Sequence, residues 1–256
     1  MSTPGSRKEW EPEEEHELEP RDATMYRALV ARGNYMAQDR TDVQFAVKEL
    51  CRNMSNPTAG DWAAVKRLGR YLVDKTRVKV RIPYQEAVRK LVVWVDTDYA
   101  GCRKTRKSTS GGVVMIGNHL IKGWSVTQAV IALSSGEAEY YGIVKGASVG
   151  LGIRSVLRDL GCSVRLVVCT DSSAAKGMAS RKSLGNVRHV EVNQLWVQEK
   201  VGNGEIELRK VEGQSNLADA LTKYLDGDSI LRHMEGTGQS RAQGRHIIMP
   251  AVVEES

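Results

Sequence analysis

Four acidic residues lie in settings that could bring their carboxylates to one place. Asp96 ends the apolar run at residues 91–95, and Asp171 ends a second apolar run in RLVVCTDSS. Glu139 falls near the start of a predicted helix in SSGEAEYYG, and Asp219 falls at a polar-to-helical junction in GQSNLADALTKYL. A carboxylate at the end of a buried strand is costly without a partner, and a divalent metal ion pairs with several acids at once. The four acids therefore predict a site for divalent cations.

The predicted chemistry is phosphodiester hydrolysis assisted by two metal ions. Carboxylates with few histidines nearby suit a hard cation such as Mg²⁺ better than zinc. Two such ions about 4 Å apart can acidify the attacking water and stabilise the leaving oxygen. Without metal, the clustered acids would repel each other, and at least one would keep its proton. We expect two Mg²⁺ ions, with Mn²⁺ as an alternative.

Each acid also has a structural interpretation. Asp96 is alternatively a plain strand-end residue, and Asp171 alternatively caps the helix that begins at residue 172. Asp219 is alternatively an acid of the first turn of a helix, where it complements the helix dipole. The same dipole explains Glu137 better than metal binding does, so Glu137 is not among the predicted ligands.

The hydrophobic pattern indicates the elements that position these acids. Short β-branched apolar runs predict strands, and apolar residues at three-to-four spacing predict helices. The predicted strands cover residues 91–95, 113–116, 119–126, 164–170 and 206–211. A Gly117-Asn118 turn joins the second and third of these strands into a predicted hairpin. The helices predicted after this hairpin cover residues 134–160, 172–179, 190–201 and 216–224. This order predicts a mixed α/β sheet of about five strands with flanking helices. If the strands that end at Asp96 and Asp171 are parallel neighbours, both carboxylates lie at one edge of the sheet.

Composition and periodicity divide the chain into four segments. Residues 1–22 are rich in Glu and Pro and predict a disordered acidic tail. Residues 23–85 carry three helical patterns and then a half-exposed strand. Residues 86–226 contain the predicted sheet, and residues 227–256 lose all periodicity, which predicts a mostly disordered tail.

The charge distribution favours a polyanionic partner. The net charge is +6, yet residues 1–22 hold eight acidic residues against three basic ones, so the remainder is more basic still. Such an excess suits nucleic acid, with solubility alone as the other interpretation. A polar and basic loop offers Arg103, Lys104, Arg106, Lys107, Ser108 and Thr109 for phosphate contacts, or is simply a solvated loop.

The sequence shows neither a secretory signal nor an apolar stretch long enough to span a bilayer. Its four cysteines are scattered without a C-x-x-C motif, which is typical of buried thiols in a reducing compartment. We therefore expect an intracellular protein, cytoplasmic or nuclear, without a membrane partner or a small-molecule cofactor.

Several motifs, in order and at matching spacing, resemble the ribonuclease H domain of copia-type retrotransposon Pol polyproteins. They are VDTDYAGCRKTRKSTSGG, LSSGEAEYYG, VVCTDSSAAKG, NVRHVEVNQLWVQEKV and LADALTKYL. Residues 23–85 are similar to the segment that joins the reverse transcriptase to this domain in the same elements. The Y-x-D-D acids of the polymerase are absent from this sequence, so we do not expect a complete reverse transcriptase.

The resemblance implies a ribonuclease-H-like fold and a metal-dependent endoribonuclease that cuts the RNA strand of RNA–DNA hybrids. It assigns Asp96, Glu139, Asp171 and Asp219 as the catalytic metal ligands. It also includes His189, for which a structural role is the alternative to a catalytic one. The remainder of a Pol polyprotein is a further expected partner.

Two other functions stay open from the sequence. One is a catalytically inactive retrotransposon remnant that keeps the ribonuclease-H-like fold and binds nucleic acid. The other is an integrase-type or resolvase-type nuclease on the same kind of sheet, although its acid spacings differ from those found in this chain.

Overall fold

The computed structural model describes residues 1–6, 16–102, 104–181 and 194–244, together with residues 246 and 248. Its helices are α1 (Pro20–Met36), α2 (Thr41–Cys51), α3 (Ala59–Asp74), α4 (Ser135–Asp159), α5 (Ser173–Ala179), α6 (Trp196–Gly202) and α7 (Gly227–Gly236). Its strands are β1 (Arg77–Val80), β2 (Lys90–Asp98), β3 (Thr109–Ile116), β4 (His119–Thr127), β5 (Arg165–Thr170), β6 (Ile206–Lys210) and β7 (Gln239–Ala242). Among the described helices, none combines the length and the apolar character that crossing a membrane requires.

Five strands form a mixed sheet in the order β4-β3-β2-β5-β6. β2, β3 and β4 are antiparallel neighbours, whereas β5 pairs in parallel with both β2 and β6. The tight turn between β3 and β4 contains Gly117 at a φ of 57°, a conformation that glycine adopts without strain. The prediction of a mixed α/β sheet of about five strands with flanking helices is confirmed. The strands that lead to Asp96 and Asp171 are indeed parallel neighbours.

α4 lies close against the sheet because three of its glycines face the strands. A Cβ atom built on Gly142, Gly146 or Gly150 would lie 2.4–2.6 Å from a side-chain atom of β2 or β5. Glycines four residues apart share one face of the helix, so their missing side chains let the backbone approach the strands. This close packing brings Glu139, which is three residues before Gly142, to the end of β2.

The residues 216–222 cover the opposite face of the sheet. A small apolar cluster joins them to β2, β3 and β4, and its members are Trp94, Val113, Met115, Leu120, Leu217 and Leu221. β3 carries a glycine where this segment crosses it, because a Cβ atom on Gly111 would lie 2.8 Å from Thr222 Cγ2. β3 begins at Thr109, so residues 109–112 belong to the strand that the sequence predicts only over residues 113–116.

The predicted helix over residues 216–224 does not form. The structure has only the 3₁₀ turns Gly213–Ser215 and Asp219–Leu221 in this region. The side-chain amide of Asn216 donates to the carbonyl of Val95 at 2.9 Å, which ties the chain to the sheet. The side-chain oxygen of Asn216 accepts from the backbone N–H of Ala218 at 3.1 Å. Hydrogen bonds to a side chain therefore replace the backbone hydrogen bonds of the predicted helix.

α1, α2 and α3 surround an apolar core of their own. Thr58 and Asp61 form a capping box at the start of α3. α2 also contacts the sheet, since Lys48 Nζ lies 2.6 Å from Thr109 Oγ1.

Some described residues near both ends of the chain form structure where the sequence predicts disordered tails. Residues 227–242 form α7 and β7, and β7 pairs with β1, more than 150 residues earlier in the chain. Among the described N-terminal residues, Thr3 is buried and accepts from Arg67 at 2.8 Å, and α1 already begins at Pro20. Composition misses these elements because their stabilising partners are distant in sequence.

Candidate metal site at the end of two parallel strands

Asp96, Glu139 and Asp171 meet where β2 and β5 end. One carboxylate oxygen of each residue lies within 4.8 Å of a carboxylate oxygen of the other two. Asp96 and Glu139 are buried, with 7% and 8% of their surface exposed, and Asp171 is half-buried. Three of the four predicted ligands therefore form one acidic cluster, which we call the three-acid cluster.

The carboxylate of Asp96 is held by the polypeptide on its other side. Asp96 Oδ2 contacts the hydroxyl of Thr222, whose side chain is fully buried. Burial raises the pKa of Asp96, the Thr222 hydrogen bond opposes this rise, and the charges of Asp219 and Asp171 add to it, so that the pKa is about 6. A group so placed releases its proton readily when a cation approaches.

Glu139 is the most strongly perturbed acid of the cluster. Burial and the charges of Asp96 and Asp171 together raise its pKa to about 9, while a hydrogen bond from the Thr97 backbone opposes this rise. Its Oε2 is buried and has no hydrogen-bond partner among the described residues. A buried polar atom without a partner is uncommon and calls for an explanation such as an ion.

Asp171 follows β5 and precedes α5, but it does not cap that helix. The hydroxyl of Ser172 accepts from the backbone N–H of Ala175 at 3.1 Å and fills the capping role. The structural interpretation of Asp171 as the cap is therefore wrong. Gly213 lies beside the carboxylate of Asp171, and a Cβ atom on this glycine would lie 3.2 Å from Asp171 Oδ2.

Asp219, the fourth predicted ligand, lies outside the three-acid cluster. Its Oδ1 forms an ion pair with Lys223 Nζ at 2.5 Å, on the half-exposed side of the same turn. It remains close enough for its charge to raise the pKa of Asp96. Neither Thr222 nor Lys223 was singled out as a functional residue from the sequence, although both fall in LADALTKYL.

Glu137 has a structural role, as the sequence indicates. Its carboxylate accepts from the backbone N–H of Leu133 at 3.0 Å and from the hydroxyl of Tyr141 at 2.8 Å. The hydroxyl of Ser134 in turn accepts from the Glu137 backbone N–H and caps α4.

The predicted phosphate-binding loop is only partly at the surface. Lys104 and Arg106 are exposed and Lys107 is half-buried. Ser108 and Thr109 are buried, and their hydroxyls contact protein groups, the Ala100 N–H and Lys48 Nζ respectively. The described loop therefore offers cationic side chains, whereas these two hydroxyls face inward. Arg103 and His189 lie outside the described residues.

The three-acid cluster fits a hard divalent cation. All three ligands offer carboxylate oxygens, which Mg²⁺ and Mn²⁺ accept in preference to the nitrogen and sulfur donors typical of zinc sites. Glu139 Oε2 has no hydrogen-bond partner among the described residues, and burial together with the neighbouring carboxylates makes ionisation of Asp96 and Glu139 costly. A divalent cation would give Glu139 Oε2 a partner and would stabilise the charged forms of the carboxylates.

Comparisons with known proteins agree with the sequence motifs. The chain is 30% identical over 207 residues to the retrovirus-related Pol polyprotein from transposon RE2 of Arabidopsis thaliana, a match that covers 80% of this chain and 14% of the relative. It is 30% identical over 193 residues to the corresponding polyprotein from transposon TNT 1-94 of Nicotiana tabacum, covering 74% of this chain and 14% of the relative. No protein-family model matches the sequence.

Among solved structures, the N-terminal ribonuclease H domain of a Mycobacterium tuberculosis protein is similar with a TM-score of 0.38 and 19% identity. That similarity covers 57% of this chain and 96% of the domain. The chain spans about a seventh of the length of the polyproteins that it matches. Its homologues are retrovirus-related Pol polyproteins from copia-type transposons.

Proposed function

We propose that this chain is a metal-dependent endoribonuclease that hydrolyses the RNA strand of RNA–DNA hybrids. The observation that carries the proposal is the convergence of Asp96, Glu139 and Asp171 within 4.8 Å at the ends of adjacent parallel strands. Kinship with Pol polyproteins and the ribonuclease H motifs of the sequence support the choice of substrate.

Asp96, Glu139 and Asp171 would hold the metal, and Asp219 is the proposed fourth ligand. Two bound Mg²⁺ ions would supply an acidified water and stabilise charge on the leaving oxygen. The protein itself contributes a fixed set of carboxylates, because β2, β5 and α4 are all packed into one apolar core. It also limits access of bulk water to Asp96 and Glu139, which strengthens electrostatic interactions at the site.

Lys104, Arg106 and Lys107 are the described candidates for binding the substrate backbone. Their charges suit phosphate oxygens, and phosphate contacts dominate the affinity of most nucleic-acid complexes. Arg103 belongs to the same proposed group by its place in the sequence. The inward-facing Ser108 and Thr109 leave this surface dependent on charge, so we expect binding that weakens steeply with salt.

The test is a cleavage assay with the purified protein and a hybrid labelled on its RNA strand. We expect cutting with Mg²⁺ or Mn²⁺, none after chelation, and none on duplex DNA. Asp96→Asn and Glu139→Gln should each abolish cutting, because the amide keeps the shape of the side chain and removes a ligand charge. Glu199→Gln on the exposed face of α6 makes the same chemical change away from the site and should cut like the wild type.

A protein that binds the hybrid but cuts no faster than Asp96→Asn would overturn the proposal. That outcome would establish the alternative, an inactive remnant that binds nucleic acid. Cleavage of duplex DNA instead of the hybrid would favour an integrase-type or resolvase-type nuclease.

A further inference from the structure

Two residues of the segment 216–222 contact two successive residues at the end of β2. The Asn216 side chain donates to the carbonyl of Val95 at 2.9 Å, and the Thr222 hydroxyl contacts the carboxylate of Asp96. Asn216 and Thr222 are buried, so neither contact is exchanged readily for a contact with bulk water. The first contact holds the backbone of β2, and the second reaches the ligand itself.

The position of the Thr222 hydroxyl is set by its surroundings. Its methyl carbon packs over Gly111, where even a built Cβ atom would approach Cγ2 to 2.8 Å. Its Oγ1 also lies 3.1 Å from the backbone carbonyl of Asp219. Contacts therefore constrain both groups of the Thr222 side chain. The methyl group packs against β3, and the hydroxyl lies between the Asp96 carboxylate and the Asp219 backbone carbonyl.

We propose that Thr222 is a positioning residue that orients the Asp96 carboxylate for metal binding. A hydrogen bond to one oxygen fixes the rotation of the carboxylate about its Cβ–Cγ bond, and therefore the place of the other oxygen. Outer groups that orient a metal ligand are typically worth about 10-fold to 100-fold in metal affinity or activity. The inference rests on the proposed function, because it assumes that Asp96 binds an ion.

Thr222 acts through Asp96 and does not need to touch the substrate. Its contact with the Asp219 carbonyl also relates the three-acid cluster to the turn that carries the fourth proposed ligand. We therefore expect loss of the hydroxyl to weaken ion binding and lower kcat, with little effect on KM for the hybrid.

The experiment compares Thr222→Val with Thr222→Ser. Valine keeps the shape and removes the hydroxyl, whereas serine keeps the hydroxyl and removes the methyl group. The matched control is Thr97→Val, because the Thr97 hydroxyl is also buried on β2 yet has no hydrogen-bond partner among the described residues. Mg²⁺ and Mn²⁺ affinities are measured by titration calorimetry, alongside kcat, KM and the melting temperature in chelator.

We expect Thr222→Val to bind Mg²⁺ at least about 10-fold more weakly than the wild type, the lower end of the effect typical of outer groups. Thr222→Ser should recover most of that affinity, and Thr97→Val should match the wild type. Thr222→Val and Thr97→Val should both remain folded in chelator.

The inference is overturned if Thr222→Val binds Mg²⁺ like the wild type, or if Thr222→Ser loses as much affinity as Thr222→Val. Wild-type protein without Mg²⁺ binding would overturn it as well. Wild-type protein that binds Mg²⁺ but never cuts a hybrid would refute only the proposed function, because the affinities of the variants would still decide the role of Thr222.

Discussion

The Asp219 carboxylate lies 2.5 Å from the ammonium group of Lys223, four residues further along the chain. The fourth proposed ligand therefore has a cationic partner and lies outside the three-acid cluster. Burial lowers the pKa of Lys223, but the charges of Asp219 and Asp96 raise it above its usual value, so the ammonium group also acts on the three-acid cluster. A divalent ion bound by Asp219 would therefore compete with Lys223 for the same carboxylate.

Replacing Lys223 should strengthen metal binding. Lys223→Met removes a positive charge from the neighbourhood of Asp219 and Asp96, so we expect the Mg²⁺ affinity to rise. The rise should be about threefold, because half-exposed ion pairs are worth about 1 kcal/mol or less. Lys223→Arg keeps the charge and is the control. Weaker Mg²⁺ binding by Lys223→Met in calorimetry would show that Lys223 supports the site and does not compete with the ion.

The stability of the metal-free protein should fall as the pH rises. Glu139 has a folded-state pKa of about 9 and Asp96 one of about 6, both above the usual values of unfolded carboxylates. Between the unfolded and folded pKa values the folded protein binds more protons than the unfolded chain, so raising the pH favours unfolding. This stability is fully present below about pH 4 and is lost progressively up to about pH 9.

The measurement is the melting temperature in chelator and in Mg²⁺ between pH 5 and pH 9. Mg²⁺ should reduce the decline, because the ion pairs with the charged carboxylates. Glu139→Gln should reduce it even in chelator, since the amide does not ionise. A melting temperature that rises across this range in chelator would contradict the burial of the acidic cluster.

Two glycines of α4 provide a test of how closely the helix must approach β2. A Cβ atom on Gly146 would lie 2.4 Å from Val95 Cγ1, whereas a Cβ atom on Gly152 has nothing within 4 Å. Gly152→Ala should stabilise the protein by about 0.5–1 kcal/mol, because alanine favours a helix over glycine. Gly146→Ala should destabilise it by about 1–3 kcal/mol through overpacking. Denaturant unfolding measures both, and equal effects would argue against close packing of α4.

The C-terminal residues should be required for the site. His233 Nδ1 in α7 lies 2.8 Å from the carbonyl of Leu217, at the start of the segment that carries Asp219 and Thr222. Gln239 in β7 connects to α2 through the Thr41 hydroxyl at 2.7 Å. A chain that stops at residue 226 should lose Mg²⁺ binding and melt at a lower temperature. A chain that stops at residue 244 keeps β7 and should behave like the full chain; equal behaviour of both truncations would refute this role of α7 and β7.

The sequence by itself determined the sheet and most of the acidic site. The apolar run before Asp96, the glycine turn at residue 117 and the capped helix that carries Glu139 are each local patterns, and the structure contains all three. Local patterns suffice there because strand alternation, turn conformation and helix capping depend on residues within a few positions of each other.

Only the tertiary structure decided which distant groups surround those acids. The hydroxyls of Ser108 and Thr109 face inward, and the Thr222 hydroxyl contacts Asp96, 126 residues away in the chain. The tertiary structure also replaced the predicted helix at residues 216–224 with a 3₁₀ turn and ordered residues 227–242. These outcomes depend on contacts between distant segments, whose free energies exceed the small local propensities that a sequence pattern reports.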